Sequence, residues 1–430
     1  MNGSFSGGGH SDAAHPRPGF YGWWMVGLCA LAFALSGPGQ TSGVSVFIDP
    51  MMGSLDLSRS ELSTAYLLAT LASAAIMPQV GRMVDQLGSR RSILIIGVGF
   101  SVAIAGTAAV RGFATLTAAF FVIRLFGQGA LSLVASTAVA PWFERRRGLA
   151  IGVTTAVGAS LLSLVPIGSA AMIRATGSWR LSWLILAGVV GAVLIPLGAR
   201  GIINTPEEIG QVPDGGKPTG NEQTESAARF GASFSRGEAI RTPIFWVLGA
   251  AVATTGAIGT GLQFHQIALL GEQGLTPIEA AANFLPQTAG VLVTTLVVGT
   301  LSDRVRARWI LVAAMTVQAA AMLAVPLITP GLLAIVYGVL LGSSGATVRT
   351  LEAAATPKLY GLRELGSIRG VYRFIGVAAS AIGPVVLALG RDLTGSFEAT
   401  VTLLLVMPVA VTLAALITTS QPPQRPTSST

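Results

Sequence analysis

The chain has 430 residues, of which 51% are hydrophobic and only 11% are charged, and its mean hydropathy is +0.67. A soluble protein of this length would carry charges on roughly a quarter of its residues. The composition therefore excludes an ordinary soluble globular protein and indicates an integral membrane protein. The net charge of +8 is spread over short clusters, which argues against a nucleic-acid partner.

Long apolar stretches recur along the chain, and crossing a bilayer as a helix takes about 20 such residues. The first six stretches cover 21–47, 62–82, 92–112, 114–138, 149–171 and 181–200. The second six cover 243–269, 279–300, 309–329, 331–355, 368–390 and 397–418. Because helices satisfy their own backbone groups in lipid, we predict an all-α integral membrane protein with 12 transmembrane helices in two six-helix, pseudo-symmetric halves.

The polar segments divide the chain and orient it. We predict a disordered cytoplasmic tail at 1–19, a first half at 20–201, a cytoplasmic linker at 202–240, a second half at 241–418 and a cytoplasmic tail at 419–430. Loops on the side of the N-terminus hold seventeen Lys and Arg residues, whereas the opposite loops hold five. Because positive residues stay inside, both termini are expected in the cytoplasm of a cell bounded by this inner or plasma membrane.

A sequence repeat with a constant offset of 218 positions relates the two halves. The segment GRMVDQLGSR at 81–90 returns as GTLSDRVRAR at 299–308. The run from Thr176 to Trp179 returns at Thr394 to Phe397. Duplicated halves in an apolar chain are typical of a transporter in which one half rocks against the other around a central site.

The repeated G-x-x-x-D segment resembles the signature that the major facilitator superfamily (MFS) carries between its second and third helices. The second copy departs from that signature, with Arg306 where a glycine belongs. The resemblance implies the MFS fold, a monomeric secondary transporter and alternating access, with the signature loops latching the cytoplasmic side. Small glycines would let helices of opposite halves approach closely; the alternative is a turn that only fixes topology. The gating candidates are Gly81, Asp85, Arg90, Arg91, Gly299, Asp303, Arg304 and Arg308.

Four further stretches resemble the monocarboxylate and oxalate/formate branch of that superfamily. They are YGWW at 21–24, RLFGQG at 124–129, WFERRRGLAIG at 142–152 and GLRELGSIRG at 361–370. The animal monocarboxylate carriers also have an Asp and an Arg in their eighth helix, and these positions are Val291 and Thr295 here. Lactate specificity therefore does not follow from the resemblance.

Basic side chains inside the predicted helices are the first candidates for substrate binding. An unpaired cation near mid-membrane is expensive, so Arg124 is expected either to brace the first helix or to attract an anion. Arg349 is expected to form an ion pair one turn away with Glu352 or to face the substrate. Arg373 would either extend to the cytoplasm or face the cavity.

The seventh predicted helix adds two polar candidates near its outer end, His265 and Gln263. Histidine titrates near neutral pH, so His265 would hold a substrate carboxylate or carry a coupling proton. The alternative is a histidine that is merely solvated at the membrane interface.

Glycine and proline interrupt the first helix of each half at corresponding depths. Gly37, Pro38 and Gly39 precede the polar residues Gln40 and Thr41, and the second half has a glycine-rich run with Gly256 and Gly259. Paired interruptions predict helix bending beside a substrate site. The alternative is close packing of small residues.

No Asp or Glu falls in the middle third of any predicted helix, so the charges there are cationic. This pattern predicts a transporter for a small organic anion, monocarboxylate-like, working by exchange or by proton symport. The alternatives are efflux of amphipathic or drug-like compounds and a non-transporting membrane sensor with the same fold. No phosphate-binding loop, metal-ligand spacing or nucleophile–base pair is evident in the sequence, so no enzyme, cofactor or metal is expected.

Overall fold

The computed structural model describes residues 19–144, 146–215, 234–302, 304–361 and 364–418. Within these ranges the chain is helical and contains no strand, and twelve helices are long and apolar enough to cross a membrane. The predicted tails and the central part of the predicted linker lie outside the described residues.

The twelve spanning segments agree with the predicted stretches to within several residues. In the first half they are α1 Gly22–Gly39, α2 Arg59–Met77, α3 Gln86–Thr107, α4 Phe113–Trp142, α5 Leu149–Thr176 and α6 Trp179–Gly201. In the second half they are α7 Pro243–Phe264, α8 Pro277–Leu301, α9 Ala307–Leu327, α10 Leu332–Tyr360, α11 Ile368–Thr394 and α12 Phe397–Ile417. The predicted all-α fold with two six-helix halves is confirmed.

The bundle has two ends, which we name by their connections. At the linker end, the first turn of α1 meets the end of α6, where Tyr21 donates a hydrogen bond of 2.8 Å to the Gly201 carbonyl. At the distal end, the loop before α2 meets the start of α6, where Trp179 Nε1 donates to Ser54 Oγ at 2.8 Å.

Capping residues that match in the sequence repeat begin α2 and α8. Glu61 accepts a hydrogen bond of 2.8 Å from the Ser58 amide, and Glu279 accepts one of 2.8 Å from the Thr276 amide. In each pair the hydroxyl in turn accepts from the glutamate's own amide. These reciprocal capping boxes satisfy the free N–H groups at both helix starts, so the repeat reproduces local structure as well as sequence.

The repeated T-G-S turn ends α5 and α11 in the same way. Gly177 has φ 64° and Gly395 has φ 81°, which is the left-handed region that favours glycine. Thr176 Oγ1 donates to the carbonyl of Ser178 at 3.1 Å, and Thr394 Oγ1 donates across the matched turn at 3.0 Å. The two halves are thus built from equivalent turns at the distal end.

Glycines bring helices of the second half into direct backbone contact. A Cβ atom at Gly342 of α10 would lie 2.0 Å from the Gln287 carbonyl of α8, and one at Gly383 of α11 would lie 2.0 Å from the Ala257 carbonyl of α7. Small residues at such crossings allow the close packing that holds helices together in lipid.

Replacing Gly342 by alanine will destabilise the folded protein because the added methyl group would overlap the α8 backbone. Overpacking of this kind costs about 1–3 kcal/mol, so the detergent-solubilised variant should melt at a lower temperature than the wild type. Gly188→Ala is the matched control, since a Cβ there meets no described atom within 4 Å. Equal melting temperatures for the two variants would contradict the packing described for α8 and α10.

Candidate functional site

One face of α2 joins the two halves at the distal end. Arg59, Ser63 and Tyr66 lie on this face, one helical turn apart, and each contacts a residue of the second half. Next to them, Ser60 donates a short hydrogen bond to Asp392 of α11. We call these contacts the distal seam. Among the described residues, no hydrogen bond or ion pair connects the halves at the linker end.

The centre of the distal seam is the Phe397 ring, which lies between two arginines. The guanidinium carbon of Arg59 is 5.5 Å from the ring centroid, and that of Arg391 is 5.2 Å away. Each arginine also has a carboxylate from its own half: Arg59 pairs with Asp49 at 2.6 Å and Arg391 with Glu272 at 2.9 Å. The Arg59–Phe397 cation–π contact therefore crosses between the halves, whereas the Arg391–Phe397 contact and both ion pairs lie within one half.

His265 is enclosed in the distal seam. It is 1% exposed, its Nε2 lies 2.9 Å from the Pro384 carbonyl of α11, and its ring packs against Phe397 at 5.3 Å. The alternative of a merely solvated histidine is wrong, since three helices cover the side chain, and the predicted role in substrate or proton binding stays a prediction. In this conformation its position is that of a closure residue, with no opening toward the linker end.

Arg124 is buried at the inner limit of the distal seam. It donates a short hydrogen bond to the Tyr66 hydroxyl, and its guanidinium carbon is 4.3 Å from the Tyr66 ring centroid. Tyr66 also bonds Thr41 at 2.7 Å and packs on Phe264 of α7 at 4.4 Å. Arg124 Nε has no partner among the described residues, so an aromatic ring and hydroxyl groups take the place of a carboxylate.

The segment around Arg124 is distorted where α1 and α4 touch. Residues Arg124–Leu131 form a wide π-helical turn, a feature that is frequent at functional sites. A Cβ atom at Gly39 would lie 2.3 Å from the Ile123 carbonyl. The α1 helix breaks after Gly37–Gly39, and Gln40, which is extended, donates to Ser132 of α4 at 3.1 Å.

The predicted bend in the second half is not at Gly256 or Gly259. The α7 helix is regular from Pro243 to Phe264, and the chain leaves helical geometry only at His265. Gly256 serves close packing instead, since a Cβ atom there would lie 3.1 Å from the Gly376 carbonyl of α11. That prediction was wrong because sequence alone does not separate a flexible glycine from one that admits a neighbouring backbone.

Arg349 of α10 and Arg373 of α11 are exposed cations within spanning helices of the second half. The predicted ion pair between Arg349 and Glu352 is absent, because Glu352 pairs with Arg369 of α11 at 3.0 Å. Both Arg349 and Arg373 are exposed and neither pairs with another described residue, while the Glu352–Arg369 ion pair brings their segments of α10 and α11 together. The Arg349 side chain folds back along α10, with Nη1 3.1 Å from the position of a Cβ at Gly345.

The signature loops show a different arrangement from the one expected. The Asp85 side chain and Asp303 lie outside the described residues. No described atom comes within 4 Å of a Cβ at Gly81 or Gly299, so the predicted close approach of the halves is absent in this conformation. This agrees with closure at the distal end.

The arginines of these loops have contacts within their own half or face outward. Arg90 donates to the Ala199 carbonyl, and Arg308 lies over the Trp309 ring at 5.2 Å. Arg91 and Arg304 are exposed. The turn in the first copy needs Gly88, which has φ 74° and would place a Cβ 2.7 Å from Asn204 Oδ1.

Gln263 belongs to a buried amide cluster that the sequence did not reveal. It donates to Gln287 of α8 at 3.3 Å, and Gln287 donates to Gln266 and Asn283.

Two aromatic residues of the distal seam were also not predicted from the sequence. Nothing in the sequence indicates that the Phe397 ring contacts two arginines. Tyr66 matches Phe284 at the 218-residue offset of the repeat, which does not indicate its contact with Arg124. Within the described ranges, no group of three or more His, Cys, Asp or Glu side chains is placed to hold a metal ion.

Comparison with known proteins agrees with this architecture. The family model of the Major Facilitator Superfamily matches residues 24–384. Among solved structures, the chain is similar to a bacterial homologue of the human lysosomal transporter Spinster in an inward-facing conformation (18% identity, TM-score 0.67, 93% of this chain and 98% of the other). It is also similar to a mutant of the nucleoside transporter NupG (11% identity, TM-score 0.72, 92% and 98%). At these identities the similarity shows the fold.

Curated relatives match at higher identity than these structures but over less of the chain. The oxalate:formate antiporter of Oxalobacter formigenes is 26% identical over 233 residues, 53% of this chain and 51% of that protein. The uncharacterized MFS-type transporter YcxA of Bacillus subtilis is 26% identical over 185 residues, 43% and 45%. The chain thus matches about half the length of these two. Human monocarboxylate transporter 11 is 24% identical over 407 residues, 90% and 80%.

The family match covers most of the chain, and the duplicated six-helix halves have the arrangement that the matched structures share. The chain therefore belongs to the Major Facilitator Superfamily of membrane transporters.

Proposed function

We propose that this protein is a secondary transporter of a small organic anion, which Arg349 and Arg373 attract and hold by its carboxylate. The observation that carries the proposal is that these two cations lie within spanning helices, are exposed, and have no carboxylate partner among the described residues. Two like charges kept close together gain most from an anion that bridges them. The resemblance to the oxalate:formate antiporter and monocarboxylate transporter 11 supports the same substrate class.

The transport cycle is alternating access, with the linker end facing the cytoplasm. On this proposal the distal seam closes the outer side in this conformation, and the substrate reaches the arginine pair from the linker end. Movement of one half against the other would open the seam and close the signature loops around Gly81 and Gly299. The positive residues of the linker-end loops support this orientation.

Coupling is inferred from the lack of acidic side chains in the middle of the described spanning helices, since Glu352, one turn from Arg349, is already paired with Arg369. No Asp or Glu lies in the middle third of a described spanning helix, and His265 is closed within the distal seam. We therefore propose anion exchange, or symport in which the substrate itself brings the proton. His265 then acts in closure rather than in proton transfer.

Replacing Arg349 or Arg373 by glutamine is expected to reduce carboxylate uptake into proteoliposomes by about tenfold or more. Each change removes a charge-assisted contact, and such contacts contribute about 1.5–3 kcal/mol. Arg174→Gln is the matched control, since Arg174 is exposed near the distal end of α5, away from the pair. Uptake equal to wild type in both folded and inserted variants would contradict the substrate site.

Substitution of Arg124 distinguishes anion transport from the alternative function, efflux of amphipathic compounds. Arg124→Gln should lower both carboxylate uptake and the melting temperature, because Tyr66 would lose its charged partner at the inner limit of the seam. Tyr66→Phe keeps the ring but not the hydroxyl, so it serves as the comparison. Efflux would be favoured if Arg124→Gln left transport intact and only bulky amphipaths inhibited uptake.

Weakening the distal seam should shift the protein toward an outward-open conformation. Phe397→Ala removes the ring that Arg59 contacts across the seam, and a cation–π contact contributes about 0.5–2 kcal/mol. In a Cys29→Ser background, which lacks other cysteines, Ser63→Cys should react roughly 3- to 10-fold faster with an impermeant thiol reagent added outside. Glu398→Gln, a change at the exposed neighbour, is the control, and equal rates in both would contradict the seam.

A further inference from the structure

The two ring nitrogens of His265 have different surroundings in the closed distal seam. Nε2 lies 2.9 Å from the Pro384 carbonyl, and Nδ1 is buried without a hydrogen-bond partner among the described residues. A carbonyl oxygen only accepts, so the hydrogen of a neutral imidazole must be on Nε2. A protonated ring would carry a second hydrogen on Nδ1, where the described residues offer no acceptor. Leaving a buried donor unpaired is costly, so this position favours the neutral ring.

The charges around His265 also oppose protonation. Its ring centroid is 5.3 Å from that of Phe397, and the guanidinium carbons of Arg59 and Arg391 are 5.5 Å and 5.2 Å from the same centroid. Each arginine has a carboxylate of its own half, whereas His265 forms no ion pair with a described residue. An imidazolium would therefore be a third cation around one ring, with the side chain only 1% exposed and without a counterion.

The remaining titratable groups of the elements packed around His265 are bonded elsewhere or exposed. They are Asp49 and Glu272, which pair with the two arginines, Glu61, which caps α2, Asp392, which accepts from Ser60, Tyr66, which bonds Arg124, and Glu398, which is exposed. Among the described residues, the closed seam therefore offers no acidic group to balance a positive charge on the imidazole.

Separation of the halves changes the surroundings of His265 on one side only. Arg59 and Ser63, whose Oγ lies 3.5 Å from His265 Nε2, belong to α2 of the first half. Pro384 and Phe397 belong to the same half as His265 and move with it. Opening therefore removes one cation and the α2 side chains from the ring and admits water, while the acceptor of Nε2 stays in place. Hydration removes the penalty on the charged form, so the open seam accepts an imidazolium.

We propose that the distal seam is a gate that acid opens: it closes only over a neutral His265, and a proton taken up by this side chain holds the halves apart. The inference goes beyond the proposed function, since it applies to any transported solute. Histidine in water titrates at about pH 6.5, so the proton-bound open form gains weight in a mildly acidic medium at the distal end. His265 remains a closure residue, and its charge decides when closure is allowed.

The distance between two spin labels at the distal end tests the proposal. Ala175→Cys and Leu393→Cys, in the Cys29→Ser background, place one label on each half at exposed positions that match in the repeat. Double electron–electron resonance on the full-length protein in nanodiscs then gives the ratio of open to closed molecules. Because only the open form takes up the proton, this ratio should rise about tenfold when the pH is lowered from about 7.5 to about 5.5. Distance distributions that are the same at both pH values would overturn the proposal.

His265→Gln separates titration from packing. Its amide nitrogen replaces Nε2 as the donor to the Pro384 carbonyl, but the side chain takes up no proton, so the ratio of open to closed molecules should change by about twofold or less over the same pH range. The matched control is the double change His10→Gln and His15→Gln, since these are the other two histidines of the chain, and it should respond to pH as the wild type does. A full response in His265→Gln would show that another group titrates and would overturn the proposal.

Nuclear magnetic resonance of the imidazole nitrogens gives a second readout, with His265 itself unchanged. In the spin-labelled protein that carries His10→Gln and His15→Gln, His265 is the only histidine, so the imidazole signals belong to it. The closed protein should show the neutral ring with its hydrogen on Nε2, and the imidazolium should increase in parallel with the open fraction. An imidazolium in protein whose labels report a closed distal end would overturn the proposal. These readouts need no solute, so their failure leaves the anion carrier untouched, and failure of carboxylate uptake leaves the gate untouched.

Discussion

A guanidinium group among apolar helices must find a replacement for the water it leaves, and the architecture depends on how each arginine does so. Arg124 uses the face and hydroxyl of Tyr66. The seam arginines Arg59 and Arg391 use a carboxylate and one shared ring. Arg349 and Arg373 use neither and stay exposed. Since an unpaired charge in the membrane costs several kcal/mol, exposure at the last two positions requires a water-accessible space.

The halves have diverged most where they hold charge. The position that matches Arg124 in the repeat is Gly342, where α10 presses against the α8 backbone. The first half thus has a large cation, Arg124, at this position. The second half has a glycine, Gly342, which lets α10 pack directly against the backbone of α8. That contact in turn supports the amides that surround Gln287. The shared fold is symmetric, but the chemistry of the two halves is complementary rather than duplicated.

The sequence predicts those parts of the structure that depend on neighbouring residues. The twelve helices follow from apolar length, and the matched capping and T-G-S turns follow from residues within four positions of one another. Partners across helices could not be predicted in this way. Glu352 selects Arg369 because α10 and α11 cross there, and His265 faces the distal seam because the chain leaves helical geometry at that residue. The direction of the hydrogen bonds between Gln266, Asn283 and Gln287 could not be predicted either. It is set by the backbone carbonyls of Ala280 and Ala334.

The distribution of ion pairs in the distal seam has a consequence for how the halves separate. Asp49 belongs to the same half as Arg59, and Glu272 to the same half as Arg391. When the halves separate, Arg59 and Arg391 each keep the carboxylate with which they are paired, so neither arginine is left without an acidic partner. The contacts that are lost are a ring face and hydrogen bonds that water can replace. Dissolved salt screens attraction between opposite charges, but here few such attractions cross the boundary, so the balance between open and closed forms is set largely independently of ionic strength.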